Sequence, residues 1–125
     1  MAIDLLIKFS VTSQSREGIE VFDKILIDGE RVELSYKNTR DKLIFTNDRI
    51  IAYDVQGMLG TKKSFRIFPY SKLTSFMIET AGTLDSDGDL KIWLSGVGEF
   101  EIKFGKGIDI MIIGKFLSEK LLIGN

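Results

Sequence analysis

The sequence predicts a mainly β domain with some α: a barrel of about seven short antiparallel strands, capped by a C-terminal helix and preceded by a short helical segment. Three observations carry this expectation. From Glu30 onward apolar residues recur at period two, in short runs separated by turn-forming residues. After Gly105-Lys106-Gly107 the period becomes helical and the apolar stripe is broad. The chain also has one Pro, no low-complexity run and no Gly/Ser linker, so its 125 residues fit a single domain.

Residues 1–9 are apolar but carry Asp4 and Lys8, and residues 10–18 read as a flexible connector. In the next segment Ile19, Phe22 and Leu26 recur at helical spacing with Glu20, Asp23 and Lys24 between them, which predicts a short amphipathic helix over 19–27. Residues 1–28 are accordingly expected to form an N-terminal helical extension, and 29–125 the main body. The first strand alternates Val32, Leu34 and Tyr36 with Arg31, Glu33 and Ser35. Lys42–Phe45 and Arg49–Asp54 flank Thr46-Asn47-Asp48, a hairpin signal. Phe65 and Ile67 continue the pattern until Pro69, which lacks the N–H that a ladder needs. Leu73–Glu79 is the next apolar run. Leu90, Ile92 and Leu94 then alternate with Lys91, Trp93 and Ser95, and Phe100, Ile102 and Phe104 with Glu99, Glu101 and Lys103. In the final helix Ile108, Ile112, Ile113, Phe116, Leu117 and Leu121 build the stripe. Asp109 and Lys120 stand at the ends that suit the helix dipole, and Gly124 suits its stop.

Composition narrows the function classes. The chain is 44% hydrophobic, and its mean hydropathy of +0.09 is high for a small domain, a hint of apolar surface shared with a partner. Formal charge is -1, with 17 basic and 18 acidic residues, which argues against a general nucleic-acid binder. Cys and His are absent, removing disulfides, thiolate metal sites, the commonest metal ligand and the usual general base. The N-terminus has neither the clean apolar stretch of a signal peptide nor the roughly 20 apolar residues of a membrane span. A cytoplasmic, soluble, non-enzymatic chain without cofactor is the expectation.

Five stretches in order carry a resemblance: Phe45-Thr46-Asn47-Asp48-Arg49-Ile50-Ile51; Ile67-Phe68-Pro69-Tyr70; Glu79-Thr80-Ala81-Gly82-Thr83; Asp89–Gly96; and Phe104–Asp109 leading into the helix. Together they resemble the bacterial pleckstrin-homology (PH) family over about residues 20–122. Ile108 departs from it, where Thr would cap the helix. The resemblance implies a PH-like barrel of uncertain biochemical role, in a family whose members look like binding domains assembled into symmetric rings. It brings no catalytic motif.

Asp85-Ser86-Asp87-Gly88-Asp89 opens like a calcium loop, but the sixth and twelfth positions hold Leu90 and Gly96 instead of the required Gly and Glu. A solvated Asp-Gly turn is the reading it favours. Gly57 and Gly60 lack the rest of a nucleotide-binding fingerprint. Basic residues gather in two expected loops, Lys37, Arg40 and Lys42 in one and Lys62, Lys63 and Arg66 in the other, with Asp41 and Asp54 beside them. In lipid-binding PH domains the first of these loops supplies cations to a phosphate head group.

If Leu90, Ile92 and Leu94 point inward, period two turns Trp93 outward, and either Phe76 and Ile78 or Leu73 and Met77 must also face away from the interior. Trp suits the centre of an interface, unless the N-terminal segment covers that face within one molecule. The leading expectation is a homo-oligomeric interaction module, in a ring, with Trp93, Phe76 and Ile78 as contact residues and a second copy or another protein as partner. The alternative is an anionic lipid or phosphate-ligand module using Lys37, Arg40, Lys62 and Lys63. No nucleic acid, metal or cofactor is expected.

Overall fold

Hairpins between neighbouring strands build the molecule, a computed structural model that describes residues 7–80 and 87–123. The turn at Asn47-Asp48 illustrates the local chemistry. Thr46 Oγ1 accepts the N–H groups of Asp48 and Arg49, both at 3.0 Å, and Asn47 exchanges bonds with the backbone of Arg31. These bonds fix the register of β4 (Lys42–Thr46) on β5 (Arg49–Gln56), with Phe45 opposite Ile50. On the far side β5 pairs antiparallel with β6 (Lys62–Pro69) over its whole length.

Among the described residues nine strands form two facing sheets. The first has the order β1-β9-β8-β7 and the second β2-β3-β4-β5-β6. The remaining strands are β1 (Ile7–Val11), β2 (Ser13–Gln14), β3 (Val32–Lys37), β7 (Leu73–Thr80), β8 (Gly88–Leu94) and β9 (Gly98–Phe104). Helix α1 (Ile110–Leu122) lies across β7 and β8, its start capped by Asp109, whose carboxylate accepts the Met111 N–H at 3.0 Å. Gly124 lies outside the described residues. The main core fills the space between the sheets and under the helix, with Phe45, Leu90, Ile92, Ile102, Phe104, Ile113 and Leu117 fully enclosed.

Two expectations need correction. The two strands beyond the expected seven come from the stretch read as a short apolar N-terminal segment and a flexible connector. There β1 lies parallel to β9, Phe9 opposite Ile102, and β2 opens the second sheet beside β3. The described part of residues 1–28 therefore joins both sheets. No helix spans 19–27 either, only one 3-10 turn at Ile19–Phe22. The physical reason lies just downstream. Glu30 accepts the Ile27 N–H at 3.1 Å and Arg49 donates to the Ile25 carbonyl at 2.8 Å, so both backbone groups are taken from a helical ladder. The segment packs on the outer face of the second sheet, where Phe22, Ile44, Ile51 and Tyr53 form a second core. That cover explains why Ile50, Ile51, Ala52 and Tyr53 are all buried despite lying on one strand.

Candidate functional site

The outer face of the first sheet carries Trp93, as its alternation requires. Its cross-strand neighbours are Ser75 and Glu99. Lys91 Nζ stands 6.0 Å from the indole ring and 3.5 Å from Glu99. Lys103 Nζ lies 3.3 Å from Asp89 Oδ1, a charge contact without hydrogen-bond geometry. Trp93 is half-buried in a lattice of exchanged charges.

Phe76 and Ile78 do not join it. They lie on the opposite face, packed against the main core, and Ile78 comes against Gly114 of the helix, where a Cβ would meet it at 3.4 Å. Phe76 and Ile78 stand opposite the inward Ile92 and Leu90, and a bulge at Thr74 shifts the register between Leu73 and Ser75, so Leu73 shares that inner face with them. Met77, 39% exposed, is left as the apolar side chain of β7 on the Trp93 side. Among the described residues, the segment Ile19–Leu26 covers the outer face of the other sheet, not this one.

At one end of the second sheet the two basic loops meet. Arg40 Nη2 donates to the Gly57 carbonyl at 2.6 Å, tying the β3–β4 turn to the tip of the β5–β6 hairpin. Lys37 is ion-paired with Glu17 at 3.3 Å. Asp41 accepts the Val55 N–H at 2.8 Å, and Asp54 accepts from the Gln56 amide at 2.9 Å, so both carboxylates are turned to structural bonds. Lys62 and Lys63 are exposed and have no acidic partner among the described residues. Between the loops lies a feature the sequence reading passed over: Met58 and Leu59, 97% and 85% exposed at the hairpin tip. Their signal was the pair of apolar residues between two glycines.

At the other end an open cleft of about 660 Å³ is lined by Ile27, Arg49, Tyr70, Leu73, Lys120 and Leu121. Behind its wall is a buried polar network. Glu30, its side chain 0% exposed, receives Arg49 Nε at 2.9 Å, Arg49 Nη2 at 3.0 Å and Thr46 Oγ1 at 2.7 Å. Burial alone would raise the Glu30 pKa. The bonds from Arg49, Thr46 and the Ile27 N–H, with the Arg49 charge, outweigh it and hold the carboxyl below its ordinary value. Tyr70 donates to the Thr46 carbonyl at 2.7 Å, and its burial, reinforced by Glu33, Asp48 and Glu30, pushes the phenol well up. Of the acidic loop 85–89, Asp85 and Ser86 lie outside the described residues. Among the described residues no three acidic side chains gather as a metal site would require, and no helix is long and apolar enough to cross a membrane.

Residues 3–121 match the family described as Bacterial PH domain. The chain is 42% identical over 94 residues to the uncharacterized protein YjqA of Bacillus subtilis, covering 75% of each. Among solved structures it is similar to a DUF1696 family protein with a pleckstrin-homology domain from Shewanella loihica, at TM-score 0.78 and 36% identity, covering 88% of this chain and 97% of that one. It is also similar to a pleckstrin homology domain from Shewanella amazonensis, at TM-score 0.68 and 37% identity, covering 83% and 86%.

Proposed function

We propose, from the premise that this chain belongs to the bacterial PH domain family, that it is a non-catalytic interaction module that assembles with copies of itself. One observation carries the reading. Both β6 and β7 are eight residues long and stand at the ends of their sheets, each paired on one side only among the described residues. Unpaired edges of this length are a liability for a monomer, and a neighbour that pairs them removes it. Apolar side chains stand beside both edges: Ile67 on β6 is 38% exposed, and Met77 on β7 has been described above. Because the two edges belong to different sheets, a contact between them is head-to-tail, which generates a closed ring when its rotation closes. Trp93 is the outward residue proposed to be covered in that contact. Phe76 and Ile78 support the edge from the core side.

The anionic-ligand alternative is weakened by the partners already found for Lys37 and Arg40. The test of assembly is mass by light scattering after size exclusion at two protein concentrations, on the wild type, Trp93→Glu and Ile67→Lys. The expected wild-type result is a discrete multiple of 14.1 kDa, reduced in both variants while circular dichroism is unchanged. A wild-type monomer at every concentration would refute the reading.

A further inference from the structure

The open cleft bordered by Arg49 and Lys120 carries polar groups that the fold leaves unused. Arg49 is the first of them. Its Nε and Nη2 are spent inward, on Glu30 and the Ile25 carbonyl. Its Nη1 bonds to nothing among the described residues and is not enclosed, so it belongs to the 16% of the side chain that meets solvent. Glu30, charged and without exposure, fixes the guanidinium from behind, which leaves that free edge set in one orientation. Lys120 is the second. Its Nζ stands 5.3 Å from the Phe116 ring and 5.9 Å from the Tyr70 ring, and it has no acidic partner among the described residues. The third is Asp48, exposed on the same wall and likewise without an ion-pair partner among the described residues. Ile27, Leu73 and Leu121 supply the apolar lining, and a volume of about 660 Å³ suits a ligand of a few residues.

We propose that this cleft binds the free C-terminus of an extended peptide with apolar last residues. Arg49 and Lys120 receive the terminal carboxylate, Asp48 accepts an amide N–H of the peptide, and Ile27, Leu73 and Leu121 take its side chains. The local charges select this ligand. Glu30 and Asp48 balance the two cations, so no surplus charge remains for a phosphate group. A single carboxylate needs donors, not surplus charge, and a guanidinium edge beside an ammonium provides them. Asp48 then decides between kinds of carboxylate. It has a use for a peptide N–H, whereas beside a fatty acid, which has no such donor, it would only repel. The cleft is open, so the rest of a chain can leave it, and capture of a terminal carboxylate is an established way to read a peptide. The inference does not rest on self-assembly.

The experiment is fluorescence anisotropy of a short labelled peptide ending in two leucines, titrated with the full chain up to about 1 mM. The comparison probes are the same peptide amidated at its C-terminus, the same peptide ending in two serines, and octanoate as competitor. The variants are Lys120→Gln, Leu121→Ser and, as a control in a distant loop, Lys62→Gln. Arg49 is kept, because its loss would loosen the fold. Amidation is expected to weaken binding at least ~10-fold, Lys120→Gln ~3-fold and Leu121→Ser ~5-fold, with Lys62→Gln unchanged. Absence of binding at the highest concentration would overturn the proposal, as would equal binding of the amidated or the serine-ended peptide. So would Lys120→Gln and Leu121→Ser both without effect, or displacement by an equal concentration of octanoate, which would make the cleft a site for organic acids. A lower assembly mass in Lys120→Gln would also overturn it, by making the cleft a contact between copies. Failure of assembly in the wild type shows only in the mass measurement, failure of the peptide site only in the titration.

Discussion

Replacing Arg49 by Leu tests whether the buried pair with Glu30 holds the segment 19–30 in place. The perturbation removes one partner and leaves the other enclosed: Glu30 has 0% side-chain exposure and Arg49 only 16%. The carboxylate would lose its two bonds at 2.9 and 3.0 Å, and the Ile25 carbonyl its donor. Breaking a buried pair from one side costs about 3–5 kcal/mol, because a charge is left without compensation. A domain of this size has roughly 5–15 kcal/mol in all. At about 4 °C per kcal/mol, the melting temperature should fall by roughly 12–20 °C. Urea unfolding followed by circular dichroism measures the cost, and the double variant Glu30→Leu/Arg49→Leu should recover part of it, since no charge then remains to be buried. The pH dependence adds an independent sign. In the wild type the folded pKa of Glu30 lies below its unfolded value, so its contribution is present above the unfolded value and is lost as pH falls through the folded one. In Arg49→Leu only the bonds from Thr46 and the Ile27 N–H still oppose burial, so the folded pKa should lie higher than in the wild type and acidification should narrow the gap between them. A cost under about 1 kcal/mol, a double variant no better than the single, or a gap that widens in acid would refute the reasoning.

Other outcomes follow from the same contacts. Phe22→Ala should cost about 3–5 kcal/mol and raise hydrogen exchange on β4 and β5, because Phe22 is fully buried in the second core. Gly105→Ala should cost about 1–3 kcal/mol in urea unfolding, since its Cβ would lie 3.2 Å from the Thr12 backbone, which cannot swing aside as a side chain can. Asp109→Ala should cost about 1 kcal/mol by loss of the helix cap, with no change in assembly mass. At alkaline pH, Tyr36 is pushed up to about 12 by burial and by Asp109 nearby. Its contribution is therefore full below the ordinary phenol value and lost as pH rises toward 12, which an absorbance titration at 295 nm would follow alongside circular dichroism.

Where one face of a strand met water, the sequence was easy to read. The alternation in β8 and β9 gave both their extent and the outward turn of Trp93, because one face is core and the other a charged lattice. Legibility failed where pairing partners are distant or a register slips. Ile7, Phe9 and Val11 do alternate, but their strand is short and its ladder is made with β9, far along the chain. The spacing of Ile19, Phe22 and Leu26 is helical only on paper, since the Glu30 and Arg49 side chains claim the backbone groups a helix would use. Leu73 falls on the side of Phe76 and not of Met77 for a local reason: one extra residue at Thr74 reverses the parity of everything before it. Of the proposed site, Trp93 and the basic loops were visible from residue type. The apolar tip between those loops was visible only as two ordinary hydrophobic residues until their exposure was known.

The parallel ladder between β1 and β9 has a kinetic consequence. During synthesis, residues 7–11 emerge before the other strands, yet their partner β9 is the last strand of both sheets to be made. Until then Phe9 and Val11, both buried in the finished molecule, have nowhere to go, and the edge of β9 they will cover does not exist. The hairpins β3–β4–β5–β6 can form early through local contacts, whereas this closure must meet the full loop entropy in one step. Folding should therefore end, not begin, with the N-terminal strand, and a slow final phase sensitive to Phe9→Ala would mark the moment the two sheets are joined.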